Sequence, residues 1–330
     1  MKEQLVSLLE QAEDHEHERD RRVAVQEPLA DGGEPRQPPV IDVLSRQMQA
    51  PQMETRELTS CLPDRELSAM LKVTRRLPRA RGAGSFARRL RSLYLRRPRA
   101  AVEVDVLGFK MCLDPHEWAD AAFLFYPHRY EHREVAFVTS NLQDGDVFLD
   151  VGANVGFYSL IAARLVGRAG LVLAIEADPV NYRKLSFNLR LNGVTNVRPI
   201  MVGVSDREEA LSLAANTGGN RGASSFLGAT GDNIDVSCLP LYNILQKEHL
   251  TKVDGMKIDI EGYEIRVLNR FFADVAEGNN SLLPRFIVAE ENPDYAASSG
   301  EDVPGLLRSN GYDGRRVSPL NWAMTRQPSS

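Results

Sequence analysis

The sequence predicts an α/β fold built on an open parallel sheet, and three stretches carry that reading. Val147–Leu149 is an apolar run that enters a glycine-bearing acidic turn and then a helix. Leu171–Ile175 repeats the pattern and ends in Glu176-Ala177-Asp178-Pro179, and Val253–Ile260 ends in a group of acids. Short apolar runs separated by helical segments mark strands buried on both faces of a parallel sheet. In such sheets ligands bind beyond the carboxyl ends of the strands, where these acids fall.

The first turn reads Asp150-Val151-Gly152-Ala153-Asn154-Val155-Gly156, followed by an amphipathic helix from Tyr158 to Val166. Gly152 and Gly156 remove side chains where backbone must approach a ligand. A dinucleotide site would read G-x-G-x-x-G, to seat a pyrophosphate on the helix N-terminus. Here Asp150 precedes the first glycine and Asn154 replaces the second. A carboxylate at that place repels a diphosphate but accepts hydrogen bonds from an ammonium, or from water around a cationic, phosphate-free ligand. S-adenosylmethionine is such a ligand. A plain tight turn with no ligand is the competing reading.

The second strand ends at Glu176, about 20 residues past Gly156, the offset at which a strand-end acid meets ribose hydroxyls. Asp178, directly before Pro179, suits the N-cap of a helix from Val180 to Leu191. A third strand, Val197 to Val204, ends at Ser205-Asp206. That pair either contacts adenine or only turns the chain into a strand at Leu211-Ser212-Leu213.

At the end of the Val253–Ile260 strand stand Asp259, Glu261 and Glu264. Crowding and partial burial raise a carboxylate toward the range useful to a base. Asp259 is the best-placed general base, with Lys257 near enough to set its charge and Glu261 beside it. In the bland alternative Glu261 and Glu264 decorate the first turn of a helix, where negative charge is favoured, and Lys257 forms a structural ion pair. Asp259, Glu261, Glu290, Glu291 and Asn292 also offer oxygens of the kind Mg²⁺ takes, but a site without metal is the preferred reading. Zinc lacks a ligand set, since Cys61, Cys112 and Cys238 are scattered and His15 and His17 lie in a charged tail.

Four blocks in order resemble the FkbM family of S-adenosylmethionine-dependent methyltransferases. They are Tyr130-Glu131, Leu149 to Ser159, Gly222-Ala223-Ser224-Ser225, and Met256-Lys257-Ile258-Asp259-Ile260-Glu261-Gly262-Tyr263-Glu264. The last matches the family's K-I-D-V-E-G-x-E with only Ile260 in the valine place. Pro284 to Asn292 resembles its next sheet element, so the likeness runs from Tyr130 to Glu291. It implies a doubly wound, mostly parallel seven-stranded sheet of the Rossmann-like class I methyltransferase type, and methyl transfer to a hydroxyl of a sugar, glycan or secondary metabolite. It also implies that Asp150, Gly152, Asn154 and Gly156 line the methionine end of the cofactor and Glu176 the ribose. One departure is Leu239-Pro240-Leu241-Tyr242-Asn243, where the family often shows T-L-D.

The first third of the chain differs from the rest. A short helix at Gln4 to Gln11 is followed by charge from Asp14 to Arg22 and by Gly32-Gly33-Glu34-Pro35 and Pro38-Pro39, which read as linker or disorder. Between Lys72 and Arg99 lie ten arginines and no acid. Ala87 to Leu95 reads as a basic amphipathic helix with Phe86, Leu90, Leu93 and Tyr94 as its stripe. It would suit an anionic membrane surface or acidic partner, although packing against the catalytic domain is the plainer reading. Val102–Val106 and Phe109–Leu113 alternate around Leu107-Gly108 as a hairpin ahead of a helix holding Tyr130-Glu131. Trp118, Phe123, Phe125, Tyr126 and Tyr130 either roof the pocket or, for most of them, fill the core. The expected units are therefore 1–70, disordered or weakly structured; 71–129, a basic helix and hairpin accessory segment; and 130–330, the methyltransferase domain, closed by a helix at Val303 to Asn310 and strands from Tyr312 to Thr325.

A formal charge of −5 argues against nucleic acid as main partner. The odd, scattered cysteines, the absence of a long apolar run and a polar N-terminus fit a cytoplasmic enzyme. Two rivals remain: an NAD(P)-dependent oxidoreductase, disfavoured by Asn154 and the missing third glycine, and a non-catalytic nucleoside-binding or scaffold module. Asn216 to Phe226, with Gly218, Gly219 and Gly222, is expected to close over the acceptor.

Overall fold

The computed structural model describes residues 65–75, 89, 91–96, 101–125, 127–128, 130–215, 232–291 and 301–327. The expected N-terminal helix and linker, Phe86 and Leu90, Tyr126, the Gly222–Ser225 block with its glycine lid, and Asn292 lie outside them.

The sheet that organises the molecule has seven strands. In chain order they are β3 (Val147–Val151), β4 (Leu171–Glu176), β5 (Val197–Met201), β9 (Gly255–Ile258), β10 (Phe286–Glu290), β11 (Tyr312–Arg316) and β12 (Asn321–Arg326). Their spatial order is β11-β12-β10-β9-β3-β4-β5, and β12 alone runs antiparallel to the rest. Successive side chains of a strand point to opposite faces. Accordingly Phe148, Val172, Ala174 and Val288 enter one core, and Leu149, Leu173, Ile175, Met256 and Ile287 the other. Helices α4 (Phe157–Val166) and α5 (Pro179–Leu191) cover the first face; α6 (Leu241–Lys247), α7 (Glu264–Glu277) and α8 (Val303–Ser309) cover the second. The sheet is doubly wound, as expected, and its order reverses between β3 and β9.

The third strand departs from expectation. Val197 to Val204 is not continuous: β5 ends at Met201, and β6 (Gly203–Val204) leaves for a separate sheet with β7 (Glu209–Ala215) and β8 (Asp232–Leu239), ordered β6-β8-β7. The break lets Val202, Val204 and Leu213 form one wall of a cleft above the strand ends.

The hairpin forms as its turn chemistry demands. β1 (Val102–Val106) and β2 (Phe109–Leu113) pair around Leu107 and Gly108, whose φ angles of 51° and 80° fit a two-residue hairpin turn. It is fastened to the sheet's helices. Asn188 of α5 accepts from the Cys112 amide and donates to the Val155 carbonyl, Asn192 bonds both backbone groups of Lys110, and Arg164 of α4 lies 3.5 Å over the Phe109 ring. Helix α2 (Trp118–Phe125) is tied to α5 by a buried Lys184–Asp120 pair at 3.0 Å.

Helix α1 (Arg65–Thr74) runs across residue 70, where the sequence placed a boundary. Its Leu67 and Leu71 join the core shared with Phe148 and Leu160. Arg75, from the arginine-rich stretch, donates to the carbonyls of Leu124 and Asp105 and so locks α1 to α2 and β1. Residues 91–94 are helical, with Tyr94 buried in the same core and Leu93 exposed, so these two do not share one apolar stripe. No helix among the described residues is long and apolar enough to cross a membrane. Cys238 is a free, buried thiol, but Cys112 is disulfide-bonded, which departs from the reduced state expected of scattered cysteines.

Candidate active site

A cleft of about 840 Å³, its open mouth included, lies at the carboxyl ends of β3, β4 and β9, the place where the strand order reverses. Asp150, Gly152, Asn154, Glu176, Lys257, Asp259 and Glu261 all line it. The structure therefore brings together most of the residues singled out in the sequence.

The turn after β3 is held from two sides. The amides of Gly152 and Ala153 both donate to the Ile175 carbonyl at 2.9 Å, and the Asp259 amide donates to Val151 at 3.0 Å. Protein atoms crowd both glycines, and Gly152 also lines the cleft. Gly152 has φ 81°, and a Cβ there would overlap the Asp259 carbonyl oxygen; Gly156 has φ 90°, and a Cβ would press on Leu185. Gly156 does not line the cleft itself; it is the N-cap of α4. Asn154 adopts a left-handed φ of 49°, which asparagine tolerates better than most residues.

Glu176 is 7% exposed, and each carboxylate oxygen takes one backbone amide: Asn154 at 2.7 Å and Asp178 at 2.8 Å. Burial pushes its pKa up to about 8, against those two hydrogen bonds. Asp178 caps α5 by accepting from the Val180 and Asn181 amides, with Pro179 in the first turn, as its spacing predicts. Asp150 is only 1% exposed and accepts the Ser159 hydroxyl at 2.5 Å. Burial raises its pKa, with Lys257 and Ser159 opposing.

Lys257, 4% exposed, sits 2.8 Å from Asp259 and 4.8 Å from the Tyr158 ring centre. Burial alone would raise Asp259, but the ammonium and its hydrogen bond outweigh it and hold the pKa below its ordinary value. Lys257 is raised in turn by Asp259, Glu131 and Asp150 despite its burial. Burial and the neighbouring Asp259 push Glu290 up to about 11, so it is protonated at neutral pH and hydrogen-bonds Asp259. Glu261 rises to about 8 through burial and its acidic neighbours. Asp259, Glu261 and Glu290 each bring one oxygen within 4.8 Å of the others, a spacing a hard divalent cation accepts. Glu291 is not with them: its carboxylate takes Arg316 at 2.5 Å and the Trp322 indole at 2.9 Å.

Glu264 has a structural task that its helical position alone did not announce. Its two oxygens accept the Ile260 amide at 2.7 Å and the Gly262 amide at 3.0 Å, holding the turn in which Glu261 and Gly262 have φ 55° and 106°. Ser205 and Asp206 are the residues the structure does not bring to the cleft. Ser205 is fully buried and donates to Glu209 at 2.6 Å, and Asp206 pairs with Arg266 at 3.1 Å. Their polar atoms are spent on the turn, the second of the two readings.

Glu131, Tyr158 and Phe157 line the cleft without having been assigned to it from the sequence, and Phe123 and Tyr130 do so as two of the aromatic candidates. Tyr130 and Glu131 are not inside a helix but in the turn before α3 (His132–Asn141), with Glu131 its N-cap at φ 45°. Phe123 stacks on Phe157 with centroids 4.5 Å apart, Tyr130 meets Phe123 edge-on at 4.7 Å, and the 55% exposed Trp118 meets Tyr130 at 6.4 Å. Phe125 is core and does not reach the cleft.

Such a lining suits a ligand that brings positive charge and adenosine-like polar groups. Carboxylates outnumber the single ammonium among the described lining residues, so a pyrophosphate would be repelled.

Comparison with known proteins places residues 150–313 under the family model described as the methyltransferase FkbM domain. The chain is similar to methyltransferase sdnD of Sordaria araneosa, 28% identical over 207 residues that cover 53% of this chain and 76% of that protein. It is also similar to 31-O-demethyl-FK506 methyltransferase FkbM of Streptomyces tacrolimicus, 29% identical over 201 residues that cover 52% of this chain and 74% of that protein. A solved structure of a methyltransferase FkbM from Methylobacillus flagellatus KT has 14% identity and a TM-score of 0.38, covering 79% of this chain and 58% of that one.

Proposed function

The chain belongs to the FkbM methyltransferase family, and from that premise we propose that it transfers a methyl group to a hydroxyl of a sugar, glycan or secondary metabolite. It is an S-adenosylmethionine-dependent methyltransferase. The choice of oxygen as acceptor leans on the relative named as a 31-O-demethyl-FK506 methyltransferase. The observation that carries the site reading is Glu176, whose carboxylate is pinned by the amides of Asn154 and Asp178 at the edge of the cleft.

In this reading Glu176 takes the ribose hydroxyls, and Asn154, Gly152 and Asp150 border the methionine end of the cofactor. Gly156 contributes by turning the chain into α4. When bound, the cofactor supplies a methyl group already activated on a sulfonium. What remains for the protein is to position the acceptor, exclude water and receive a proton.

Lys257 keeps Asp259 ionised, so Asp259 stands ready to accept a hydrogen bond from an acceptor hydroxyl at neutral pH. A carboxylate held at low pKa is a weak base, so its main effect is orientation, with proton uptake late in the transfer. Glu261 completes the acidic edge. The aromatic wall of Phe123, Tyr130 and Phe157 offers an apolar face against which a ring-bearing acceptor can lie. A small molecule is the acceptor this cleft suits. We place the enzyme in the cytoplasm for its supply of cofactor; the bonded Cys112 is the observation against that placement, and cell fractionation decides it.

The test is transfer of labelled methyl from S-adenosylmethionine to a panel of hydroxylated acceptors, with matched amine, thiol and carboxylate compounds beside them. Label entering hydroxyl compounds as alkali-stable ethers supports the reading. Label confined to amines, thiols or carboxylates contradicts it.

A further inference from the structure

Asp150 was the residue expected to meet the cofactor's ammonium, but its carboxylate is 1% exposed and occupied by Ser159 at 2.5 Å. A buried acceptor already committed to a protein donor is poorly placed to receive a ligand cation. Another carboxylate lines the same cleft and is half-buried rather than enclosed: Glu131, which reaches it from the turn before α3, beside Asp150, Asn154 and Phe157.

Glu131 is tied to the cofactor turn. Its Oε2 accepts the hydroxyl of Tyr158 at 2.7 Å, and Tyr158 is the second residue of α4, directly after the Gly152–Gly156 turn. The Tyr130 hydroxyl bonds the same carboxylate, and since an ionised carboxylate offers about four acceptor sites, two tyrosine donors leave room for a ligand. Among the described residues, Lys257 is the one lysine or arginine lining the cleft, and its ammonium is bonded to Asp259. Glu131 therefore faces a neighbouring positive field without an ion pair of its own. A ligand ammonium would complete the charge balance there.

We propose that Glu131, oriented by Tyr158, receives the α-ammonium of the methionine end of the cofactor, the place first assigned to Asp150. This rests on the S-adenosylmethionine reading above and deepens it by naming how the amino-acid end is recognised. The groups that face Glu131 are Tyr158 from α4, Lys257 and Asp259 from the end of β9, Glu134 from α3 and the adjoining Tyr130. Burial raises Glu131 to about 7, with Lys257 opposing and Asp259 and Glu134 adding to the rise. An incoming ammonium favours the ionised form, so binding of a ligand that carries one weakens as pH falls through that value.

Two stable adenosine thioethers separate this from every other role for Glu131. S-adenosylhomocysteine carries the amino-acid end, and 5′-methylthioadenosine shares its adenosine but lacks the ammonium and carboxylate. Calorimetry on the full chain would compare both ligands on wild type and on Glu131→Gln, at pH 6 and pH 8. The substitution is expected to weaken S-adenosylhomocysteine by about tenfold or more, the scale of a charge-assisted hydrogen bond. Binding of 5′-methylthioadenosine should stay within about twofold, which also shows that the variant is folded. The loss of S-adenosylhomocysteine affinity at pH 6, beyond that of 5′-methylthioadenosine, should vanish in the variant. Unchanged S-adenosylhomocysteine affinity overturns the proposal, and so does equal weakening of both ligands. Wild type that binds neither overturns the cofactor reading itself.

Discussion

Gly152 and Asp259 meet backbone to backbone at the centre of the cleft, so closely that a single Cβ on Gly152 would overlap the Asp259 carbonyl oxygen. The contact joins the cofactor turn after β3 to the acidic edge after β9, and the Asp259 amide reinforces it by donating to Val151. Gly152→Ala faces both that overlap and a φ of 81°. It is expected to cost about 2 kcal/mol or more of stability, because backbone strain and a clash act together. Chemical denaturation measures this, and a variant as stable as wild type would show that the two turns can part.

The Lys257–Asp259 pair is the second point of tension. With side chains 5% and 25% exposed, removing the cation strands a carboxylate beside Glu131, Asp150, Glu261 and Glu290. Lys257→Met is expected to destabilise by about 3 kcal/mol, the usual scale for breaking a shielded ion pair. It should also depress turnover more than cofactor affinity. Urea unfolding and initial rates at saturating cofactor check the two parts separately.

A crowded acidic cleft reverses the usual pH dependence. The pKa values of Glu131 and Glu264 rise to about 7 and those of Glu176 and Glu261 to about 8, all from an ordinary value of 4.5. Each folded carboxyl keeps its proton after the unfolded chain has lost it, so unfolding releases protons and stability falls as pH rises. The stabilisation is fully present below about pH 4.5 and is lost through about pH 7–8. The ligand-free protein is therefore expected to melt at a higher temperature at pH 6 than at pH 8.5, with a smaller difference in Glu176→Gln. Thermal melts across that range provide the check, and a higher melting temperature at pH 8.5 would contradict it.

Asp178 offers a cleaner case of helix chemistry. Its carboxylate caps α5 through Val180 and Asn181, so Asp178→Ala should cost about 1 kcal/mol, the typical value of a lost N-cap. The same change frees the Asp178 amide from no bond, because that amide donates to Glu176 through the backbone. Cofactor affinity should accordingly change less than stability.

What was legible in the sequence follows from how local each signal was. Asp178, the hairpin turn at Leu107-Gly108 and the strand-end position of Glu176 depend on neighbours within a few residues, and all appear where spacing put them. Ser205 and Asp206 depend on Glu209 and on Arg266, the latter 60 residues away, and sequence periodicity carries no signal for a contact of that kind. The strand from Val197 breaks at Val202 because β8 offers Gly203 and Val204 a second pairing partner. Glu131 looked like one half of a motif ahead of the first strand. Its part in the cleft needs Tyr158, 27 positions later, and a left-handed backbone that no residue preference foretold. The arginines before the hairpin read as a surface charge run, yet Arg75 serves as a bolt between α1, α2 and β1.

The central claim is that the cleft binds S-adenosylmethionine through Glu176. Calorimetric titration of S-adenosylmethionine and of NAD(P) into the wild-type chain and into Glu176→Ala tests it most directly. The expected result is tight binding of S-adenosylmethionine alone, weakened by about tenfold or more in Glu176→Ala, since two ribose hydroxyls lose their hydrogen-bond partner. Binding of NAD(P) instead, or no binding of S-adenosylmethionine by a folded protein, would contradict the account.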